Sequence, residues 1–229
     1  MNEFYVSFWN VNNLFDTLPT SIGSTIEFTP DRGWNNVVKS KKIENLAHVI
    51  NSLHDNQGPD IIGLCEIESE KLAHNLIDKL RAEKEYSIAQ YLNSPDIRGI
   101  DTCLLYSKKL FRLNTVKGYS TQLRYPTRDV LVVNLTVLSN NAELNLIVNH
   151  WPSRSGGRFE TEPLRIAVAE NCARAVEDIL KINQNELQDL PWDLKYDEKS
   201  LSLLNDRWNK NILLMGDFND NPYDRSIMR

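Results

Sequence analysis

The chain has 229 residues, 41% hydrophobic, 25% charged and 9% aromatic, a composition that supports a sizeable core and excludes a disordered chain. Lys plus Arg total 26 against 31 Asp plus Glu, a formal charge of −5, which excludes a protein that coats nucleic acid passively and confines any nucleic-acid contact to a local patch. No apolar run reaches the roughly 18 residues of a membrane span, and residues 1–10 lack a basic region followed by an apolar stretch, so a cytoplasmic chain without a membrane span is expected. The length fits one large domain, residues 1–229, acting as a monomer. Cys65, Cys103 and Cys172 are odd in number and form no Cys-x-x-Cys pair, so they read as buried core thiols in a reducing compartment.

Residues 4–9 read as an opening strand that Asn10, Asn12 and Asn13 end, because asparagine favours turns. Residues 17–36 are irregular. Ile43, Leu46, Ala47, Ile50 and Leu53 then recur at helical spacing, and the pattern predicts a helix over 37–53 with Lys39, Lys41 and Lys42 near its start. Gly58 and Pro59 stop it. Residues 60–65 are a continuous apolar run capped by Glu66, the pattern of a strand buried on both faces. Leu72, Ala73, Leu76, Ile77 and Leu80 define a second helix, after which residues 86–92, 102–106, 110–118, 130–138 and 144–148 read as strands. Leu164, Val168, Cys172, Val176 and Ile179 give a third helix, and residues 211–215 a further buried strand before Gly216. Between them residues 184–209 are polar, with Pro191, Trp192 and Trp208, longer than the usual connection of about 2 to 6 residues, and a short helix is expected over 201–208. Helices crossing between early strands, then several strands without helices, predict an α/β sandwich with mixed sheets.

The hydrophilic clusters fall where strands end, the place where open α/β sheets gather ligands. In Gly216-Asp217-Phe218-Asn219-Asp220 a carboxylate and a carboxamide two residues apart leave an extended backbone on one side and could hold a nucleophilic water, although the pentapeptide equally reads as an Asp- and Asn-rich turn. Glu66 is a candidate ligand for a hard cation, which takes one or two carboxylates plus water, or else a solvated strand end. Asn10 and Asn12 offer neutral oxygen donors on one side of a segment, or form a turn. His150 alone among the four histidines stands at a strand end, while His48, His54 and His74 lie in or beside helices. It precedes Ser153-Arg154-Ser155-Gly156-Gly157-Arg158, whose two cations and flexible backbone suit a phosphate. Arg98 and Arg128 are further candidate phosphate ligands, with surface ion pairs as the alternative. The tryptophans read as packing rather than as stacking platforms.

Taken in order, Phe8-Trp9-Asn10-Val11-Asn12, Leu64-Cys65-Glu66, Asn149-His150-Trp151 and Gly216-Asp217-Phe218-Asn219 resemble the motifs of the endonuclease/exonuclease/phosphatase superfamily of metal-dependent phosphodiesterases, and Arg98-Gly99-Ile100-Asp101 and Thr127-Arg128-Asp129 resemble connecting motifs of its bacterial members. The resemblance implies a four-layer α/β sandwich of two mixed β-sheets flanked by helices, with the site at one edge of the facing sheets. It implies that Glu66, with Asn10 and Asn12, binds Mg²⁺ or Mn²⁺. It also implies that Asp217 and Asn219 position an attacking water and the phosphate, and that His150 stabilises the phosphorane-like transition state. The activity implied is hydrolysis of a phosphodiester, in nucleic acid or a smaller phosphate ester, by in-line attack of water. Two departures stand beside it. Some members carry Asp where this sequence has Asn12, which makes the metal site less charged and weaker. No counterpart is found for the family's terminal Ser-Asp-His-like turn or the acid motif before it, so the expectation is a fragment lacking C-terminal strands and weakly active or inactive by itself. The competing reading is a binding or scaffold domain that kept the fold and lost catalysis.

Overall fold

The strand Ile61–Ile67 is apolar on both faces because it has a layer of protein on each side. Ile62 and Leu64 point into one cluster with Ile43, Leu46, Ile50, Leu72 and Leu76 from two helices, whereas Ile61 joins a second cluster with Leu104, Leu131, Val133, Leu146 and Met215. This period-two division of one strand between two cores defines a layered molecule. The protein is described by a computed structural model over residues 3–18, 27–91, 94–124, 126–181 and 198–228.

The first sheet contains β1 (Val6–Leu14), β2 (Ile61–Ile67), β3 (Tyr86–Tyr91) and β4 (Asp101–Ser107) in the order β1-β2-β4-β3. β1 and β2 are parallel, and the other pairs are antiparallel. The second sheet contains β5 (Phe111–Tyr119), β6 (Val130–Val137), β7 (Glu143–His150) and β8 (Asn211–Asp217) in sequence order, antiparallel except for the parallel pair of β7 with β8. Helices α1 (Asn36–Asn56) and α2 (Glu70–Ile77) cover the outer face of the first sheet. Helix α3 (Arg158–Leu180) covers the second through Val168, Cys172 and Ala175 packed on Val130, Val132, Ile147 and Trp151. Two short helices, α4 (Glu198–Trp208) and α5 (Arg225–Met228), flank β8. This is the expected four-layer α/β sandwich of two mixed sheets. All three cysteines are buried and free. Among the described residues no helix is long and apolar enough to cross a membrane.

Local chemistry explains where the elements begin. The Asn35 side chain accepts from the backbone N–H groups of Val37 and Val38 at the start of α1, and Ser69 accepts from Leu72 at the start of α2, so each cap satisfies donors that have no partner inside the helix. Helical geometry in α1 gives way at Leu53, which is extended, followed by left-handed His54 and Asp55. The strands that reach the site differ from the sequence expectation in one way, because their ladders continue past the last apolar residue, whereas β6 stops at Val137, one residue short of the expected end. β1 runs through Asn10 to Leu14 instead of ending at Trp9, β2 runs through Glu66 to Ile67, β7 includes His150, and β8 includes Asp217. Backbone pairing does not require apolar side chains, and β1 and β2 accommodate the polar residues with register shifts between Asn10 and Leu14 and around Glu66. The expected helix over 201–208 falls inside α4; Pro191 and Trp192 lie outside the described residues.

Candidate active site

The two parallel pairs, β1 with β2 and β7 with β8, deliver the polar residues to one edge of the sandwich. Asn10 is the register partner of Cys65, so the next residue on β2, Glu66, sits beside it, and in the other sheet His150 is the register partner of Asp217. These four side chains meet. The Asn10 Nδ2 amide donates to Glu66 Oε1 at 3.1 Å and to Asp217 Oδ2 at 2.9 Å, bridging the two sheets. His150 Nε2 lies 3.5 Å from Glu66 Oε1 and 3.9 Å from Asp217 Oδ2.

Left-handed backbone turns aim these groups. Glu66 has φ 67° within its bulge, and Asn12, Asn13 and Asn219 have φ of 55°, 63° and 50°; such values are costly for residues other than glycine and persist where surrounding contacts enforce them. The Asn13 backbone N–H donates to Glu66 Oε2 at 2.9 Å, and the Asn12 N–H to Asn10 Oδ1 at 2.9 Å. On the other side the Asn219 N–H donates to Asp217 Oδ1 at 3.0 Å while its Nδ2 donates to the Trp151 carbonyl at 3.0 Å. Each carboxylate is thus held by a backbone N–H, that of Asn13 across the β1–β2 pair for Glu66 and that of Asn219, two residues further on, for Asp217.

Burial differs within the cluster. The side chains of His150 and Glu66 are 3% and 11% exposed, that of Asp217 31%. Burial pushes the His150 pKa down to about 4, and the Arg98 charge acts in the same direction, so the imidazole is neutral at pH 7. Its Nδ1 is buried and finds no hydrogen-bond partner among the described residues. Glu66 and Asp217 supply the carboxylates that a hard divalent cation takes together with neutral oxygens and water, while the Asn10 atom between them is the Nδ2 donor and its Oδ1 faces the Asn12 N–H. Among the described residues no group of three or more His, Cys, Asp and Glu is arranged to hold a metal ion.

The remaining expected residues are distributed unequally. The Asn12 side chain accepts from Asn13 Nδ2 at 3.4 Å and makes no described bond to Glu66 or Asp217. Arg98 is 44% exposed, lies 3.7 Å from Asp96 and reaches His150 and Cys65 through its charge. Arg154 is exposed on the loop after β7. The structure places Arg128 elsewhere than in the cluster: it is buried, donates from Nε to the Ile100 carbonyl at 3.2 Å and pairs with Asp96 at 3.3 Å. Arg158 pairs with Asp224, beyond β8. Both guanidiniums have carboxylate partners distant in sequence, which local reading could not supply.

Three supporting residues escaped sequence reasoning. Asn13 has the sequence signature of a turn former, yet its N–H holds Glu66. Lys42 donates to the carbonyls of Asn12 and, at 3.3 Å, Asn13. Arg165 on α3 forms a pair with Asp220 at 2.7 Å in which both side chains are fully buried, and it also donates to Thr161 Oγ1 and the Arg158 carbonyl. The available signal was a basic residue falling on an apolar helical stripe: Lys42 precedes Leu46 by four residues, and Arg165 precedes Val168 by three and Cys172 by seven.

The layers and the cluster together define an α/β sandwich whose two sheets each contribute one acid to a shared polar edge. The chain belongs to the endonuclease/exonuclease/phosphatase family, whose model matches residues 5–197, a superfamily of phosphodiesterases and phosphatases that are generally divalent-metal dependent. Among solved structures it is similar to TDP2 from Caenorhabditis elegans (TM-score 0.58, 18% identity, covering 96% of this chain and 49% of that one). It is also similar to the human Nocturnin catalytic domain (0.53, 16%, 81% and 60%) and to a mannosyl-6-phosphatase from Bacteroides thetaiotaomicron (0.59, 14%, 98% and 68%). At these identities the likeness is one of fold. The chain spans about half of the C. elegans TDP2 chain and 65% of its truncated form. A search of curated proteins gave no match.

Proposed function

We propose that this domain serves a divalent-metal-dependent phosphodiester hydrolase that attacks its substrate in line with water. The observation that carries the reading is the convergence of Glu66 and Asp217 on the Asn10 amide with His150 Nε2 within 4 Å of both. Glu66 would hold Mg²⁺ or Mn²⁺, joined by Asn10 with its amide turned to present Oδ1, and Asn12 would contribute through the turn that orients them. The bound cation supplies Lewis-acid polarisation of the phosphoryl oxygens. Asp217, 31% exposed and locked by the Asn219 N–H, orients the attacking water. Neutral His150 donates a hydrogen bond to charge that grows on the phosphoryl oxygens, an interaction stronger in the transition state than in the ground state. Arg98 and Arg154 draw in the phosphate, while Arg158 and Arg128 support the segments around them through Asp224 and Asp96. The relatives named above include a phosphatase for a sugar phosphate and a structure holding a sulfate anion, so the substrate proposed is a phosphate ester, nucleic acid or smaller.

Calorimetric titration with Mn²⁺ tests the site directly. Binding is expected in the wild-type chain and a loss of about tenfold or more in Glu66→Gln, the scale on which even residues behind the ligands act; unchanged affinity refutes the ligand role. Kinetics on bis(p-nitrophenyl) phosphate then assign the others. Asp217→Asn and His150→Ala should each lower kcat by about 10² to 10⁴ with little change in KM, and a pure KM effect in Asp217→Asn would remove it from the chemistry. A binding or scaffold domain, the alternative, is favoured if neither metal binding nor hydrolysis is found.

A further inference from the structure

We propose that Lys42 is a positioning residue for Glu66, acting through the two left-handed asparagines at the end of β1. The ammonium donates to the carbonyls of both Asn12 and Asn13, and the N–H of Asn13 in turn holds Glu66 Oε2 at 2.9 Å. The relay runs from a helix side chain, through one strained turn, to one carboxylate oxygen.

The need for such a clamp follows from the backbone. Asn12 and Asn13 are consecutive residues with φ of 55° and 63°, a left-handed region that is costly for an L-residue. Asparagine tolerates that region better than most residues but does not prefer it, so the turn relaxes unless several contacts hold it. Four kinds of contact are available: the Asn10 Oδ1 bond to the Asn12 N–H, the Asn13 Nδ2 bond to Asn12 Oδ1, the Glu66 bond to the Asn13 N–H, and the Lys42 bonds to both carbonyls. Only Lys42 comes from outside the pair of strands that form the site. Its helix is itself moored to the same segment at a second point, because Lys39, three residues earlier on the same face, bonds Asp16 Oδ1 at 2.6 Å. One face of α1 therefore grips the stretch from Asn12 to Asp16 at both ends. The Lys42 stem runs beside Leu46 in a groove with Trp9 and Trp34, with Nζ 5.6 Å from the Trp34 ring centre. A lysine held this way has lost most of its rotamer freedom and presents its charge in a fixed place.

The consequence for metal binding rests on the proposed role of Glu66, so the test separates the two. Hydrogen exchange by NMR on the metal-free protein reads the clamp alone. In Lys42→Met, which keeps the stem, the Asn13 amide should exchange at least about tenfold faster, while Lys42→Arg restores slow exchange; the amide of Leu104 in β4 should stay at the wild-type rate in both. Mn²⁺ affinity should fall about tenfold to hundredfold in Lys42→Met, the range expected when a residue behind a ligand is removed, and recover in Lys42→Arg. Wild-type exchange at Asn13 in Lys42→Met overturns the proposal. So does Mn²⁺ affinity that is lost in Glu66→Gln yet untouched in Lys42→Met. If Asn13 exchange accelerates and neither substitution changes Mn²⁺ affinity, the clamp stands and the ligand role of Glu66 falls. Should Lys42→Met fail to fold, Lys42→Gln, which can donate to one carbonyl, is read at the same amide by the same criteria.

Discussion

The two strands that carry the acids are built in opposite ways. β2, which bears Glu66, is central in its sheet and buried at every residue; β8, which bears Asp217, is an edge strand whose Asn211, Leu213 and Leu214 are exposed. Beside β8 a groove of about 340 Å³ opens between Trp151, Val176, Leu214, Phe218 and Ile227. The site thus joins a rigid half to a looser one, and the difference shows which residues hold each carboxylate. Glu66 is held by the core below it and by the Asn13 turn. Asp217 depends on its end of the strand: the Asn219 N–H, the Trp151 N–H bonded to its own carbonyl at 2.9 Å, and the buried Arg165–Asp220 pair three residues on.

The largest expected difference is in stability. Leu64→Ala in β2 removes a wholly buried side chain and should cost about 2 to 5 kcal/mol. Leu214→Ala in β8, 36% exposed, should cost less than about 1 kcal/mol. Urea denaturation decides it, and equal losses would mean that β8 is as firmly seated as β2.

His150 borders both halves and offers a pH test. Its folded pKa of about 4 lies below the ordinary histidine value because burial penalises the imidazolium. As pH falls below about 6.5 the unfolded chain takes up this proton first, so the contribution of His150 is complete above that pH and is lost between about 6.5 and 4, to a total near 3 kcal/mol. The groups facing the ring are Glu66, Asp217 and Arg98. In metal-free His150→Gln the plot of unfolding free energy against pH should be flatter across that window; an unchanged slope would show that the two carboxylates outweigh burial.

The smallest effect reverses the comparison. A Cβ at Gly63 in β2 meets the Phe8 ring at 2.9 Å and the Met215 side chain at 3.2 Å, both able to yield. A Cβ at Gly216 in β8 meets the Asn149 carbonyl oxygen at 2.5 Å, which belongs to the backbone of the neighbouring strand and cannot. Gly216→Ala should therefore cost about 1 to 3 kcal/mol, more than Gly63→Ala, and thermal melting of the two variants should rank them so. The opposite ranking would mean that the edge strand simply slides outward.

Much of this architecture was legible from periodicity. The division of β2 between two cores is written in an unbroken apolar run, and the faces of α1 and α3 in their three- and four-residue spacing. The ends of strands were not, since Asn10, Glu66, His150 and Asp217 break the apolar pattern while their backbones stay in the ladder. The four residues that meet were legible as candidates because each follows such a run. The partners of Arg128 and Arg158 were not, because Asp96 and Asp224 approach only through the fold. Lys42 was legible in part: a lysine on the buried stripe of a helix has to find an acceptor inside, but the pattern does not say that the acceptors are the carbonyls of a left-handed turn.

The Asn10 amide has a consequence for spacing. A single NH₂ group, bonded at 3.1 Å to an acid of one sheet and at 2.9 Å to an acid of the other, acts as a gauge block across the sandwich. Sheets packed face to face stand about 10 Å apart on the average of many side chains, a loose tolerance for chemistry. Here the distance between the two acids is referred instead to the reach of one short, planar side chain with two rotatable bonds. Small changes in the packing of Ile61, Leu104 or Met215 further in can then be absorbed before they reach the acids, and the dimension that matters most at this edge is the one least dependent on the core.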